Sequence, residues 1–128
     1  MSFYESLLAQ TQAERDYLLG APIIQQAMTG QVALRSYIAF LTEAYHHVKH
    51  TVPLLMACGA RLPERLEWLR EAIAEYIEEE TGHQEWVLND IAACGADKEA
   101  VRHGTPHMST ELMAVSYTHL TLPTILLV

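Results

Sequence analysis

Phe40-Leu-Thr-Glu-Ala-Tyr-His-His-Val-Lys-His-Thr-Val-Pro53 sets apolar residues at helical spacing beside a run of imidazoles and one carboxylate. His46, His47 and His50 follow Glu43 by 3, 4 and 7 residues, so all four fall on one face of an α-helix. Carboxylate oxygen and neutral imidazole on a shared face suit a first-row metal. One turn separates Glu43 from His46 by about 5 Å along the axis, close enough for one metal or a pair. Glu43 and His50 stand roughly twice as far apart and require a second metal or a distorted helix. Pro53 supplies a cause for distortion. Its ring removes an amide donor and clashes with the carbonyl of Lys49, which predicts a kink near His50. A single helix-borne histidine is ordinarily a surface or core-edge group; three in five residues beside a glutamate shift the balance toward a metal site.

The helix bearing this stretch is expected from about Gln31, with Ile38, Leu41, Tyr45, Val48, Val52 and Leu55 on its apolar face. It is expected to stop at Ala57-Cys58-Gly59, with Gly59 in a left-handed position after its end. Upstream, Ser2-Phe-Tyr-Glu5 has the form of a capping box opening a helix to Leu19, ended by Gly20-Ala-Pro22. A short helical segment then spans Pro22 to Met28. Downstream, Leu62-Pro63-Glu64 starts a third long element running through Trp68, Ile73, Ile77, Val87 and Ile91 to Ala93-Cys94-Gly95. Gly82 interrupts it and is expected to loosen or bend it. Asp97 to Arg102 fits one added turn, and Ser109-Thr110-Glu111 reads as a further helix start. The fold class is all-α.

The composition agrees: 128 residues, half of them hydrophobic, with six Gly and five Pro, fit one helical domain. A formal charge of −8 argues against a nucleic-acid partner, whose phosphates require Lys and Arg. No apolar run reaches the roughly 18 residues of a membrane span. Cys58 and Cys94 are isolated and read as reduced core thiols of a cytoplasmic protein. There is no Gly-rich phosphate loop and no Ser-centred nucleophile elbow. His103 and His107 flank Gly104-Thr-Pro106 and read as surface loop residues.

A second constellation, Glu78-Glu-Glu-Thr-Gly-His83, contains a Glu-x-x-His pair in Glu80 and His83. Helical bundles use that spacing to present a carboxylate and an imidazole to di-iron or di-manganese sites. The phase of Ile73, Ile77, Val87 and Ile91 sets Glu80 on the inward stripe. Glu79 shares a neighbouring stripe with Tyr76, His83 and Asp90. A solvated acidic face is the competing reading of residues 78–80. The metal candidates are therefore Glu43, His46, His50 and Glu80, with His47, Glu79 and His83 behind them. No catalytic residue is assigned.

Val115-Ser-Tyr-Thr-His-Leu-Thr-Leu-Pro-Thr124 reads as the in-frame translation of a transposon-end sequencing adapter. Residues 115–128 are accordingly expected to be a non-native read-through tail without a dedicated packing partner, and His119 carries no weight. Residues 1–114 are then an incomplete, N-terminal part of a helical domain.

Phe40 to Cys58, Tyr76-Ile-Glu-Glu-Glu-Thr-Gly-His83 and Leu88-Asn-Asp-Ile91 resemble the iron-containing haem-oxygenase-like oxidase family, related in fold to thiaminase II and haem oxygenase. The resemblance covers residues from about 3 to 114. It implies a helical bundle holding a non-haem di-iron site. In that family a first core helix gives a Glu and a His, which fall here on Glu43 and on His46 or His50. A second helix gives a Glu, which falls on Glu80 or Glu79. The third motif, His-x-x-x-Asp-x-x-His, is absent from this chain. The implied function is an O₂-activating oxidase acting on a small organic substrate, with two Fe(II) per full-length chain and a site incomplete here. A thiaminase-II-like hydrolase and a non-enzymatic helical interaction domain are the alternatives. The expected partners are a small molecule and O₂, without nucleic acid or membrane, and a homodimer is compatible with the reading.

Overall fold

A computed structural model describes residues 2–116. The tail expected from Val115 thus lies, past Ser116, outside the described residues. Among the described residues there are nine α-helices, one 3₁₀ turn and no strand, so the all-α expectation holds. No helix among them is long and apolar enough to cross a membrane. Residues up to Tyr37 form one compact unit and those from Ile38 a second.

In the first unit, α1 (Phe3–Gln10) opens with the expected capping box. Glu5 N–H donates to the Ser2 hydroxyl at 3.2 Å, and Ser2 N–H donates to the Glu5 carboxylate at 2.7 Å. The helix does not run unbroken to Leu19. It ends at Thr11, and α2 (Gln12–Leu19) resumes after it. The Thr11 hydroxyl donates to the Leu7 carbonyl at 2.8 Å, back-bonding of the kind that bends helices. α3 (Pro22–Met28) has the expected limits, with Pro22 in its first turn where an amide donor is not needed.

In the second unit the Pro53 kink is a full break: α4 (Leu34–Val48) ends before Lys49, and α5 (Thr51–Arg61) follows His50. α4 begins three residues later than the sequence suggested. Gly59 is not a left-handed stop either. It lies inside α5, where a side-chain carbon would meet Ile73 Cγ2 at 3.3 Å. Gly59 therefore serves the close approach of α5 to α6 (Trp68–Glu80). Between them, Pro63 precedes a 3₁₀ turn (Glu64–Leu66), and Arg70 donates to the carbonyl of buried Leu62 at 2.6 Å.

The third long element is also two helices. Gly82 has φ +95°, a conformation L-residues avoid, and separates α6 from α7 (His83–Ala93). Gly95, at φ +83°, ends α7 region as expected. Asp97 accepts from the amides of Glu99 and Ala100 and starts α8 (Lys98–Arg102). α9 (Met108–Ser116) is the further helix.

The core joins α4 to α7. Leu41 and Tyr45 pack with Leu88 and Ile91, and Val87, Cys94, Ala96 and Val101 surround them. Leu88 and Ile91 are fully buried, whereas Trp68 and Trp86 are exposed. Arg102 grips Glu85 through two bonds of 2.7 Å, fastening α8 to α7. The Arg102 hydrogen bonds hold the Glu85 carboxyl below its usual range, against the opposing effect of desolvation.

Leu88→Ala or Ile91→Ala should each lower unfolding free energy by about 2–5 kcal/mol, read by urea denaturation. Because folding lowers the Glu85 pKa, the pair's contribution is complete above the ordinary glutamate range near about 4.3 and is lost as pH falls through the lowered folded value. The melting curves of the parent and Glu85→Gln should accordingly differ at neutral pH and converge in acid.

Candidate metal centre

Pro53 breaks the helix so that Lys49 and His50 form the corner between α4 and α5. A cleft of about 310 Å³ opens there, lined by His46, Lys49, His50, Thr110 and Glu111, with Pro106, Ala114 and Val115 adding an apolar wall. Thr110 and Glu111 come from the first turn of α9. Glu43 reaches the same turn. It accepts from His107 N–H at 3.3 Å (Oε1) and 3.1 Å (Oε2), and from the Thr110 hydroxyl at 2.5 Å. The His107 ring nitrogen Nε2 also lies 3.8 Å from Glu43 Oε1.

Charge at this corner is strongly biased. Burial pushes the Glu43 carboxyl up, but the Thr110 hydroxyl, the His107 amide and nearby imidazoles outweigh it and hold the net value low. Glu43 is thus a carboxylate. Burial, then Lys49, pushes His46 below its usual value, against the pull of Glu43. Burial, Lys49 and His47 do the same to His50. Both rings are therefore neutral imidazoles at physiological pH, the form that binds metal.

His46 and His50 nevertheless differ. His46 is only 2% exposed, and its Nδ1 lies 3.2 Å from the Lys49 ammonium. An ammonium has donors only, so Nδ1 accepts and the ring proton sits on Nε2. That nitrogen is buried without a hydrogen-bond partner among the described residues. His46 is therefore set as a donor, whereas a metal-bound histidine normally donates its second nitrogen to an acceptor. His50 lines the cleft with no such constraint shown.

The second constellation lies elsewhere. Glu80 is half-buried at the end of α6, and its carboxylate meets His83 Nδ1 at 2.9 Å across the Gly82 break. His83 also stacks at a tilt on Trp86. Glu79 is exposed and His47 half-buried. None of Glu79, Glu80, His83 or His47 lines the cleft. The metal candidates Glu43, His46, His50 and Glu80 are not brought together as a metal site among the described residues, where no three His, Cys, Asp or Glu side chains group in that way. Each carboxylate is engaged locally: Glu43 by α9, Glu80 by its neighbour His83.

Glu111 and Thr110 escaped sequence reasoning as site residues. They were visible only as a helix start; the available signal was that this helix begins with a carboxylate one turn after His107. The cleft is lined by imidazole from His46 and His50 and carboxylate from Glu111, donor types that iron accepts, although no three such side chains group as a metal site among the described residues. Fold and cleft thus define a helical protein with imidazole and carboxylate side chains at the α4–α5 corner. Residues 38–125 match the model of the iron-containing redox enzyme family, and the chain belongs to that family. Neither a curated protein nor a solved structure matches the chain. Membership makes it a redox-enzyme type and points to iron as its metal.

Nitrogen-15 spectra of the metal-free protein should show His46 protonated at Nε2 and bare at Nδ1. Lys49→Met should remove that bias; a ring protonated at Nδ1 in the parent would contradict the assigned pairing.

Proposed function

We propose that the chain is the N-terminal part of an O₂-activating non-haem oxidase whose site takes two irons in the full-length protein. The observation that carries this reading is the cleft lined by His50 of the α4–α5 corner and Glu111 of α9, with the Glu43 carboxylate held by the same turn of α9. Family membership supplies the metal and the redox character. Glu43 and His50 would contribute to holding iron, with further ligands needed, because no three His, Cys, Asp or Glu side chains group among the described residues. Iron held there would supply redox chemistry toward O₂.

The chain's own residues do the rest. Pro106 and Ala114 give a small organic substrate an apolar wall. Lys49 holds His46 as a hydrogen-bond donor rather than a ligand. The small core, and the exposure of Phe40, Trp68, Trp86, Met108 and Leu112, support a bundle completed by further chain. The hydrolase alternative is weaker: Cys58 and Cys94 lie at the ends of α5 and α7, where the helix dipole disfavours a thiolate, and neither lines the cleft.

The full-length protein should carry about two irons per chain by metal analysis. Glu43→Ala and His50→Ala should each abolish that loading. Iron retained after Glu43→Ala would defeat the reading, as would source DNA lacking a downstream His-x-x-x-Asp-x-x-His.

A further inference from the structure

One wall of the cleft is α9, a helix of nine residues. Isolated helices shorter than about 12–15 residues are marginal in water, so α9 depends on contacts outside itself. Apolar burial gives it little. None of residues 108–115 is buried; Thr110 and Ala114 are half-buried, and Met108, Leu112, Met113 and Val115 are exposed. The chain leading into it from α8, residues 103–107, is exposed apart from half-buried Pro106.

The tie between α9 and α4 is polar. His107 stands at the cap position, its carbonyl accepting from the amides of Thr110 and Glu111. Its own N–H donates to Glu43 at 3.3 and 3.1 Å, and the Thr110 hydroxyl donates to Glu43 Oε2. Both bonds end on a carboxylate, the stronger class of hydrogen bond, and the helix dipole adds to them. One side chain of α4 thus fixes the N-terminal end of α9. The placement of Glu111 and Ala114 on the cleft follows from that end, while His46, Lys49 and His50 line the cleft from α4 and its corner.

Elements with few buried contacts open at low free energy, whereas core helices open only near the global limit. α7, which carries the fully buried Leu88 and Ile91, is of the second kind. We infer that α9 is a gate on the cleft and Glu43 its latch: the wall moves clear when the Glu43 bonds break and returns when they form. The inference goes beyond the proposed iron site and needs no metal at Glu43, since it concerns how the cleft is entered.

Amide hydrogen exchange of the metal-free protein, read by mass spectrometry, tests this. In the parent, α9 should exchange well ahead of α7. Glu43→Ala should speed exchange in α9 by about fivefold or more, the loss typical of a removed helix cap, and leave α7 unchanged. Thr110→Val deletes one of the two bonds without touching α4. It should speed α9 by less, and it decides the matter if Glu43→Ala does not fold. Diethyl pyrocarbonate, which modifies accessible imidazole, should react faster with His50 in Glu43→Ala than in the parent, with His83 outside the cleft as the unchanged control. Exchange in α9 as slow as in α7, or no faster in either variant than in the parent, would overturn the inference. Equal acceleration of α7 would overturn it too, because the substitution would then loosen the fold rather than the gate. Faster α9 exchange with unaltered His50 reactivity would leave a latch but remove the gate. Every arm is free of metal, so iron loading of the full-length protein stands or falls separately.

Discussion

Pro53 has no amide proton to give, and the second unit is arranged around that deficit. A continuous helix would need the Pro53 nitrogen to donate to the Lys49 carbonyl. Instead α4 stops at Val48, and the chain resumes as α5 with Leu54 N–H donating to the His50 carbonyl at 3.0 Å. The break gives each half its own partner. α4 packs on α7 through Leu41 and Tyr45, while α5 lies against α6 where Gly59 meets Ile73. It also turns Lys49 and His50 into a corner, and the cleft forms at that corner.

α4 consequently carries opposed demands along one short length. Its buried residues Leu41 and Tyr45 anchor the core, and His46, on the same helix, is just as buried. Glu43 faces α9 and is stabilised as an anion by donors that arrive only when the chain has folded back on itself. The core and the polar corner are thus mutually dependent. Packing of α4 on α7 sets the direction in which Glu43 points, and Glu43 in turn holds the first turn of α9, which carries Glu111. Lys49 adds a second constraint by dictating where the His46 proton resides.

Much of this was legible in the residues themselves. The capping box at Ser2, the helix from Pro22, the break caused by Pro53 and the Gly95 stop follow from local chemistry, and each falls where expected. Gly59 and Gly82 show the limit. Both were readable as punctuation, but only packing shows that Gly59 makes room for Ile73 inside a helix, whereas Gly82 adopts a left-handed turn. At the candidate site, the spacing of Glu43, His46 and His50 put all three on α4 and the corner that follows it. It could not distinguish the two histidines, because the difference lies in which one Lys49 contacts. Helical phase put Glu80 inward, yet its carboxylate is satisfied three residues away by His83. Glu111 was hidden because its relation to α4 spans more than sixty residues and depends on α9 docking at Glu43.

The placement of the two tryptophans has a spectroscopic consequence. Trp68 and Trp86 are 68% and 61% exposed, so neither indole samples the Leu41–Tyr45–Leu88–Ile91 core. Their emission is that of wet indoles in the folded chain, and it changes little in wavelength when the core melts. Trp86 has one distinctive neighbour, the His83 ring, with centroids 4.4 Å apart. Because that ring is its neighbour, Trp86 intensity follows the geometry of the Glu80–His83 corner rather than the state of the core. Intrinsic fluorescence of this chain is therefore a local gauge of the α6–α7 junction.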